Sequence, residues 1–422
     1  MEETKKVRVG VVGVGRGGSM IKYSVAGQNA ELVAICDIWE EGLERKKKQY
    51  GEEKISYYTS FDEFLKHDMD AVVLANYATE HAPFAIKAME AGFHVLSECL
   101  PVQTMAEAVA LVECVERTGK KYCFLENACY MGGTMEMKRL YADGVIGEFE
   151  YGEGEYVHNC ENIWPQITHG GERDHWRNQM YATFYCTHSI GPLVTVTGLR
   201  PKSVVGFQLP NTARMRGMGR QQGLFGIELI RMENGGVFQS KHGELYSHSL
   251  WWNFYGSKGR METAREDMEA GNGGRVCLDV FKIPGEYDDP ANHVTVSYVP
   301  KDKFTKKAKN FGHLGADFYC LWNAFECILG NPEAKAINVY QALDMFLPGM
   351  FAHFSILEGG KELEIPDLRD AAQREKYRND NRCTNKEKAG DQWVPPYSWD
   401  CEPIGDEVYA KINEIWEAKG RP

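Results

Sequence analysis

Two different rhythms of apolar and polar residues divide the sequence. Up to about residue 125, continuous apolar runs such as KVRVGVVGVG and DAVVLANY alternate with amphipathic stretches such as TMAEAVALVECVERTG. Continuous apolar runs indicate strands that are covered on both faces, and strand–helix alternation builds a parallel, doubly wound sheet. Several amphipathic stretches end at glycine, which is a common signal for the end of a helix.

From about residue 148 the period changes to two, for example in GEFEYGEGEYVHN, FGIELIRME and HVTVSYV. This alternation predicts a larger, mainly antiparallel sheet with one covered face. Two long helical patterns follow, ADFYCLWNAFECILG and INVYQALDMFLPGMFAHFSILEGG. Residues 366–400 are polar and of mixed charge, and DEVYAKINEIWEAKG predicts a closing helix. The fold class predicted is α/β, with a doubly wound parallel sheet followed by an α+β domain.

Composition excludes several classes of protein. The chain is 43% hydrophobic and 26% charged, as in ordinary globular proteins, and its net charge of −12 argues against nucleic acid or an anionic membrane as the main partner. The N-terminus passes from polar residues straight into a strand, and no apolar stretch could span a bilayer, so a cytoplasmic protein is expected. The twelve cysteines form no CxxC pair, and the histidines show no ligand spacing, so no metal is predicted.

A glycine-rich motif, G-x-G-x-x-G, stands between the first strand and the first helix. Such glycines permit a tight turn and the close approach of a pyrophosphate to a helix N-terminus. Asp37 ends the second strand at the spacing expected for an acid that binds the adenine ribose, and its charge favours NAD over NADP. This context predicts an NAD-binding Rossmann domain, and the alternative is a glycine-rich turn without a ligand. The candidate cofactor residues in the loop are Gly13, Gly15, Arg16, Gly17 and Gly18.

Several longer segments resemble the Gfo/Idh/MocA oxidoreductases. They are LANYATEHAPFAIKAMEAGFHVLSE, VIGEFEYGEGEY, YGSKGRME and EIPDL, and the similarity runs from Val7 to about Asp367. The resemblance implies a Rossmann domain followed by an α/β domain whose open sheet commonly forms an oligomer interface, so a homo-oligomer, dimer or tetramer, is expected. It adds Asn76, His81 and Glu98 to the candidate cofactor site.

One departure from this family bears on the reaction. The family usually carries Glu-Lys-Pro after its fifth strand, and the lysine helps proton transfer from a substrate hydroxyl. Here the sequence reads Glu98-Cys99-Leu100, and a cysteine cannot supply that ammonium group. An ordinary sugar dehydrogenase that depends on the lysine is therefore disfavoured.

Other segments resemble one branch of that superfamily, the NAD-dependent glycoside hydrolases of family 109. FLENACY, GEYVHN, YCTHSIGP and FGHLGADFY are similar to its site segments, with Cys186 in place of a proline. The catalytic residues that the resemblance implies are His188, Tyr185, Tyr156 and Glu126. The implied substrate-binding residues are Asn127 and Tyr130, together with His175 and Arg177 of the stretch HWRN. The structural alternatives are a satisfied core histidine, two half-buried sheet tyrosines and a paired carboxylate.

The reaction implied is the hydrolysis of a glycosidic bond without net redox change. The sugar is oxidised transiently at C3, the C2 proton is removed, the aglycone is eliminated, water adds and the ketone is reduced again. Histidine, with an ordinary pKa of ~6.5, suits proton transfer at the C3 hydroxyl. The alternatives are an NAD-dependent sugar or glycoside 3-dehydrogenase and a non-catalytic NAD- or sugar-binding regulator. The expected partner is a small carbohydrate or glycoside, whose sugar, anomer and aglycone stay open.

The domain boundaries predicted on this basis are continuous in sequence. Residues 1–126 form the NAD-binding domain, residues 127–365 form the domain for substrate binding and oligomerisation, and residues 366–422 form an extended polar tail with the closing helix. The length of 422 residues agrees with more than one domain.

Overall fold

The computed structural model of the protein describes residues 5–421 and divides into two compact units. The first unit comprises the chain up to Met131 together with Lys301–Leu343 and Asp367–Asp380. The second unit comprises Gly132–Pro300, Asp344–Pro366 and the chain from Asn381 onwards.

The strands and helices are numbered in chain order. The strands are β1 (Val7–Val12), β2 (Ala30–Cys36), β3 (Ser56–Tyr58), β4 (Ala71–Leu74), β5 (His94–Ser97), β6 (Tyr122–Phe124), β7 (Phe149–Val157), β8 (Pro201–Gln208), β9 (Phe225–Met232), β10 (Val237–Gly243), β11 (Ser249–Gly256), β12 (Gly259–Thr263), β13 (Val276–Phe281), β14 (His293–Tyr298) and β15 (Leu363–Glu364). The helices are α1 (Gly18–Val25), α2 (Glu40–Tyr50), α3 (Phe61–Phe64), α4 (His81–Glu90), α5 (Met105–Thr118), α6 (Gly132–Ala142), α7 (Trp164–Ile167), α8 (Thr187–Thr197), α9 (Ala213–Gly217), α10 (Thr305–Ala308), α11 (Ala316–Ile328), α12 (Val339–Leu357), α13 (Ala371–Tyr377), α14 (Lys386–Ala389) and α15 (Asp406–Ala418).

The first unit contains a six-stranded parallel sheet in the order β3-β2-β1-β4-β5-β6. This is the strand order of a doubly wound dinucleotide-binding sheet. The chain adds strands outward in one direction from β1 to β3 and in the opposite direction from β4 to β6, so the switch point lies between β1 and β4. All four residues of β4 are buried, as expected for a strand that helices cover on both faces. The predicted parallel, doubly wound sheet is confirmed.

Local sequence signals set the ends of α5. The hydroxyl of Thr104 accepts the backbone N–H of Glu107 at 3.1 Å, while the Glu107 carboxylate accepts that of Gln103 at 2.7 Å. These bonds satisfy backbone donors that a helix N-terminus otherwise leaves without partners. Gly119 ends the helix with a φ of +64°, a conformation that favours glycine.

The second unit contains a nine-stranded sheet in the order β14-β13-β12-β11-β7-β10-β9-β8-β15. Its pairs are antiparallel except β7 with β10, which confirms the mainly antiparallel prediction. α6 and α8 pack against it. Phe207, Leu229 and Tyr255 of this sheet are 52%, 41% and 40% exposed. Exposed apolar side chains on one face of a sheet favour association with another subunit. They support the predicted homo-oligomer, which stays a prediction.

The two units do not follow the continuous boundaries expected from the sequence, 1–126, 127–365 and 366–422. Residues 301–343 return to the first unit, where Asn29 donates to the carbonyl of Trp322 at 3.2 Å and to Glu326 at 2.8 Å. The polar segment after residue 366 contributes α13 to the first unit, and the predicted closing helix is α15 of the second. Between residues 5 and 421, no helix combines the length and the apolar character that a bilayer crossing needs.

Candidate active site

The glycine loop between β1 and α1 has the geometry that a dinucleotide needs. Gly13 adopts a φ of +94°, and a Cβ there would overlap the carbonyl oxygen of Ala75. A Cβ on Gly17 would overlap the carbonyl oxygen of Gly13, whereas a Cβ on Gly15 would meet no atom within 4 Å. The loop is therefore tightly folded at Gly13 and Gly17 and open beside Gly15, as close approach of a pyrophosphate to the backbone requires.

Two polar side chains flank this loop. Asp37 follows β2, and its two carboxylate oxygens accept the backbone N–H groups of Val14 at 2.7 Å and Trp39 at 2.9 Å. Asn76 follows β4 and donates to Glu80 at 3.0 Å, while its Oδ1 is buried and accepts no hydrogen bond from the described residues. Because buried polar atoms normally have partners, this acceptor and the open face at Gly15 show that the residues present fit NAD.

Arg16 of the loop is held between two carboxylates. Its Nη2 lies 2.7 Å from Oε1 of Glu98, and its guanidinium contacts both oxygens of Asp317, at 3.1 Å and 3.2 Å. His313 Nδ1 lies 2.8 Å from Oδ1 of Asp317. These contacts anchor the glycine loop to α11, and the contact of Arg16 with a pyrophosphate stays a prediction.

The two carboxylates have opposite pKa shifts. Burial alone would raise the pKa of Asp317, but the hydrogen bond with His313 and the positive charge of Arg16 outweigh it and hold that pKa below its ordinary value. For Glu98 burial is the larger effect and raises the pKa, with Arg16 opposing it. Asp317 is therefore the charged partner of Arg16, while Glu98 takes up a proton first as the pH falls.

The backbone that presents Asp317 is strained. His313 and Leu314 have φ angles of +52° and +57°, and Gly315 follows at +95°. Left-handed conformations at residues other than glycine cost about 1–3 kcal/mol and are concentrated at functional segments. The strain falls on the residue whose imidazole contacts Asp317.

Cys99 stands at the position of the family lysine. Its thiol donates to Oε2 of Glu126 at 3.2 Å, and Oε1 of Glu126 accepts the backbone N–H of Ala128 at 3.0 Å. Glu126 is fully buried, with 0% of its surface exposed. These contacts give Glu126 a structural role at the start of the short 3₁₀ turn Asn127–Tyr130. Its predicted catalytic role stays a prediction.

The buried His81 supports the turn that carries Glu98 and Cys99. Its Nδ1 lies 2.9 Å from the carbonyl oxygen of Leu100, and burial lowers its pKa to about 4. The imidazole is therefore neutral near pH 7, and it donates from Nδ1 to that carbonyl. The contact of His81 with the cofactor stays a prediction.

Asn127 and Tyr130 are both buried, with 7% and 4% of their surfaces exposed. The hydroxyl of Tyr130 donates to the carbonyl of Lys335 at 2.7 Å. This bond ties the 3₁₀ turn to the segment that follows α11. The contact of the two residues with substrate stays a prediction.

Three of the four predicted catalytic side chains meet in the second unit. The ring centroid of His188 lies 4.4 Å from that of Tyr156 and 5.1 Å from that of Tyr185, both in edge-to-face geometry. The two tyrosine rings are 6.3 Å apart. His188 is 7% exposed and both tyrosines are half-buried, so the phenol rings are the more accessible members. A cluster of one imidazole and two phenols can exchange protons with a bound hydroxyl.

The first turn of α8, which carries His188, is fixed directly on the sheet. A Cβ on Gly154 of β7 would overlap the carbonyl oxygen of Ser189. The same carbonyl accepts the indole N–H of Trp252 at 3.1 Å, and the hydroxyl of Ser189 lies 2.6 Å from that of Ser240. The absence of a side chain at Gly154 therefore allows the close approach that two hydrogen bonds then hold.

Cys186, which replaces a proline of the resembling motif, contacts a helix that itself contains a proline. Its thiol lies 3.5 Å from the carbonyl oxygen of Met345 and 3.4 Å from that of Phe346, both in α12. Pro348 lies in the next turn of α12 and has no N–H to donate within the helix. The thiol thus packs on α12 close to this interruption of its hydrogen bonding.

Of the stretch HWRN, the arginine approaches the ring cluster. The guanidinium carbon of Arg177 lies 4.4 Å from the ring of Trp176 and 5.8 Å from that of Tyr185. His175 is 2% exposed, and its Nδ1 accepts the backbone N–H of Arg177 at 3.2 Å. Burial, with the charge of Arg177, lowers the pKa of His175 to about 3. His175 therefore caps the turn as a neutral ring, while Arg177 brings a cation to the cluster.

Four neighbours of these sites are absent from the residues predicted. Asp317 holds Arg16, and His313 contacts Asp317. The ring centroid of His158 lies 5.6 Å from that of Tyr156 and 5.0 Å from that of His248. The spacing of His313 and Asp317, one helical turn apart beside two glycines, is a signal that points to the first pair. The period-two pattern of β7 places His158 on the face of Tyr156, but no sequence signal joins His248 to it.

Comparison with known families identifies the NAD-binding segment. Residues 7–126 match the model of a family described as oxidoreductase family, NAD-binding Rossmann fold, the Gfo/Idh/MocA family. This segment is a Gfo/Idh/MocA domain. NAD is accordingly the cofactor of the first unit, in agreement with the open glycine loop.

The similarity to curated proteins extends beyond that domain. A protein of Shewanella baltica named glycosyl hydrolase family 109 protein is 27% identical over 402 residues, which cover 86% of this chain and 85% of the relative. A protein of another Shewanella species, named glycosyl hydrolase family 109 protein 1, has the same identity and coverage. The chain thus contains a Gfo/Idh/MocA NAD-binding domain, and over most of its length it is similar to proteins named glycosyl hydrolase family 109.

Solved structures share the fold. An NAD-binding oxidoreductase from Klebsiella pneumoniae has a TM-score of 0.69 at 15% identity, with 86% of this chain and 99% of that chain covered. The WlbA dehydrogenase from Bordetella pertussis, solved in complex with NADH and UDP-GlcNAcA, has a TM-score of 0.66 at 20% identity, with 86% and 98% covered. At these identities the likeness concerns the fold alone.

Proposed function

We propose that the protein is an NAD-dependent glycoside hydrolase that cleaves a glycosidic bond without net redox change. The observation that carries the proposal is the cluster of Tyr156, Tyr185 and His188, with ring centroids 4.4–6.3 Å apart. The relatives named glycosyl hydrolase family 109, at 27% identity over 86% of the chain, support the same reaction class.

The residue at position 99 favours hydrolysis over simple dehydrogenation. A dehydrogenase of the lysine type needs an ammonium group at that position to assist proton transfer from a hydroxyl. Here the Cys99 thiol donates to Glu126, so this side chain supplies no cation. Proton transfer then falls to the residues of the second unit.

The first proton leaves the C3 hydroxyl of the sugar. His188 accepts it on an imidazole nitrogen, because histidine gains and loses protons near neutral pH. The glycine loop and Asp37 would hold NAD, which would supply reversible hydride transfer at C3, so that no redox equivalent would be lost. The hydrogen bonds that fix the first turn of α8 hold the imidazole at one position for both transfers.

The second proton leaves C2, which is acidic beside a C3 ketone. The phenolate oxygen of Tyr156 or Tyr185 removes it and becomes a phenol, and the aglycone then departs from C1. Arg177, whose guanidinium carbon is 5.8 Å from the Tyr185 ring, stabilises negative charge that develops there. Water adds at C1, and the same phenol returns a proton to C2. Glu126 is the third candidate for this step.

The rings of Tyr156 and Tyr185, together with Arg177, also indicate the type of substrate. Aromatic faces pack against the C–H faces of a sugar ring, while Arg177 and His158 offer hydrogen bonds to its oxygens. A small carbohydrate or glycoside is the substrate class that such a mixture of aromatic and polar groups fits.

A second candidate is a net 3-dehydrogenase acting on a sugar or glycoside. It is favoured by the fold shared with dehydrogenases such as the one from Bordetella pertussis. The two candidates differ in whether NADH accumulates, and this difference can be measured directly.

The test incubates the purified NAD-loaded protein with chromogenic α- and β-glycosides, without an added electron acceptor. We expect repeated turnover, with free aglycone far in excess of enzyme and no accumulation of NADH, and deuterium at C2 of the product in heavy water. Stoichiometric NADH without aglycone would support the dehydrogenase instead, and no reaction with any glycoside would support a binding protein without catalysis.

Two variants give this assay its control. His188→Asn removes the proton acceptor and should lower turnover by about 10²–10⁴-fold. His293→Asn alters a half-exposed histidine of β14, which pairs with Asp279, and should leave turnover within about twofold of the unchanged protein. Equal losses in both variants would contradict the proposed role of His188.

A further inference from the structure

Two thiols from different elements of the first unit face each other. Cys123 lies in β6, and its sulfur is 3.9 Å from the carbonyl oxygen of Ala324 in α11. Cys327 lies one helical turn further along α11, and the two thiols share a hydrogen bond. Twelve cysteines are present in the chain, and neither of these two belongs to the cofactor loop or the ring cluster.

We propose that Cys123 and Cys327 are a peroxide-oxidisable dithiol that closes to a reversible disulfide between β6 and α11. The pair is asymmetric in access, because Cys327 is partly exposed whereas Cys123 is 2% exposed. A peroxide from solvent therefore reaches Cys327 first. Cys123 is shielded from the oxidant, but it is in contact with the sulfur that reacts.

The electrostatics assign the same order to the two sulfurs. The hydrogen bond that Cys123 donates lowers the pKa of Cys327, and Lys121 acts in the same direction against the opposing effect of burial. The same hydrogen bond, together with burial, raises the pKa of Cys123. Since the thiolate is the reactive form, Cys327 is the nucleophile and Cys123 the resolving thiol.

The chemistry balances with hydrogen peroxide as the only oxidant. The Cys327 thiolate attacks one peroxide oxygen, the O–O bond breaks, and the products are a sulfenic acid and, after protonation, one water. The Cys123 sulfur then attacks the Cys327 sulfur, the S–O bond breaks, and a second water leaves with the Cys123 proton. The two thiols lose two electrons and two protons, and the peroxide is reduced to two waters.

The bond joins two supports of the cofactor unit. α11 begins one residue before Asp317, which holds Arg16 of the glycine loop. β6 leads into Glu126, which accepts the Cys99 thiol. The two elements are already close, because the backbone N–H of Phe124 donates to the carbonyl of Ile337 at 2.9 Å. A disulfide would make this non-covalent association covalent.

The experiment uses the full-length, NAD-loaded protein, first reduced and freed of reductant. It is treated with a slight excess of hydrogen peroxide, the remaining thiols are alkylated, and the protein is digested without reductant for mass spectrometry. We expect a linked pair of peptides that contains Cys123 and Cys327, lighter by two hydrogens than the separate peptides. The pair should disappear after treatment with a dithiol reductant.

Variants then separate the roles of the two sulfurs. Cys327→Ser should abolish the linked pair and leave Cys123 reduced, whereas Cys123→Ser should leave a Cys327 sulfenic acid that dimedone traps. Cys401→Ser, which changes a partly exposed thiol of the second unit, should leave the linked pair unchanged. A linked pair of other cysteines, or oxidation of Cys327 in the unchanged protein without a bond to Cys123, would overturn the proposal. The unchanged protein alone decides this point, so it does not depend on the folding of a variant.

Discussion

The thiol of Cys99 donates a hydrogen bond of 3.2 Å to the buried carboxylate of Glu126. The position at which the resembling family carries a lysine therefore serves here to satisfy an acid within the first unit. A hydrogen bond to a charged or buried acceptor stabilises a fold more than one exposed to water, because loss of the donor leaves the acceptor desolvated.

We predict from this contact that Cys99→Ala destabilises the protein by about 1–3 kcal/mol, since Glu126 loses that donor. Cys99→Ser should cost less, because a hydroxyl also donates. Denaturant unfolding measures both differences. Cys114→Ala, which removes a buried thiol of α5 that lies 3.7 Å from the carbonyl oxygen of Ile86, is the matched control for lost volume. Equal stability of the alanine and serine variants at position 99 would refute the importance of the bond.

The contact of Asp317 with Arg16 leads to a prediction for the affinity of the protein for NAD. Asp317→Asn removes the charge that contacts both Arg16 and His313, so the glycine loop loses its anchor on α11. We expect the dissociation constant for NAD to rise about tenfold, which corresponds to about 1.4 kcal/mol. Calorimetric titration with NAD measures it. As a control, Glu53→Gln neutralises an exposed carboxylate of the same unit and should leave the dissociation constant unchanged. An unaltered affinity in Asp317→Asn would show that the contact between Asp317 and Arg16 does not order the glycine loop.

Removing the hydroxyl of each tyrosine beside His188 distinguishes their roles. Tyr156→Phe and Tyr185→Phe keep the rings that pack against the imidazole at 4.4 Å and 5.1 Å, so both variants should remain folded, which thermal unfolding checks. The variant that lacks the C2 base should lose about 10²–10⁴-fold in deuterium exchange at C2, and the other should lose less than about tenfold. Exchange in heavy water, followed by NMR, provides the measurement. Full exchange in both variants would exclude both phenols from that step.

A buried acid in the second sheet makes stability depend on pH. Glu228 of β9 and His242 of β10 are 0% and 1% exposed, and 3.6 Å separates Oε1 from Nε2. Burial raises the pKa of Glu228 to about 8 from the ordinary 4.5, and burial lowers that of His242 to about 3. Both groups are therefore mainly neutral at pH 7, so the pair is not an ion pair despite its short separation.

The sign of this dependence follows from the raised pKa. The unfolded chain releases the Glu228 proton from about pH 4.5 upwards, whereas the folded protein keeps it until about pH 8, so the contribution to stability is lost as the pH rises through this window. We expect Glu228→Gln to be more stable than the unchanged protein at pH 9 by about 1–3 kcal/mol, and equal to it at pH 4. Thermal unfolding across pH checks this expectation. Glu150→Gln, on an exposed position of β7, should not alter the slope, and a persistent slope in Glu228→Gln would assign it to another group.

The sequence predicts those parts of the fold that depend on local pattern. The glycines of the cofactor loop, the apolar runs of the parallel sheet and the period-two strands each have a local physical cause, and both predicted sheets are present. The patterns do not indicate the strands β3 and β13, which are short or carry a weak signal. α12 was expected as one helix although it contains Pro348, because its apolar periodicity continues on both sides of the proline.

The parts that could not be predicted are pairings between distant segments. Arg16 and Asp317 are 301 positions apart, and periodicity identifies α11 as a helix without naming the surface on which it packs. The return of residues 301–343 to the first unit depends on contacts such as Asn29 with Glu326, which no local pattern encodes. For the ring cluster, the family resemblance indicates the three residues, whereas the contact of their rings depends on the packing of α8 on β7.

Gly154 has a consequence for attempts to change what the enzyme accepts. Because the backbone of β7 at this glycine touches the carbonyl of Ser189, the height of the imidazole of residue 188 above the sheet is set by a residue that has no side chain and touches no substrate. A library of variants at Tyr156, Tyr185 and His188 would change the side chains of the site but would not change the distance of α8 from the sheet. Gly154→Ala, combined with a smaller residue in place of Phe238, would move α8 away from the sheet by about the thickness of a methyl group. This pair of substitutions is therefore a separate means of changing the shape of the site.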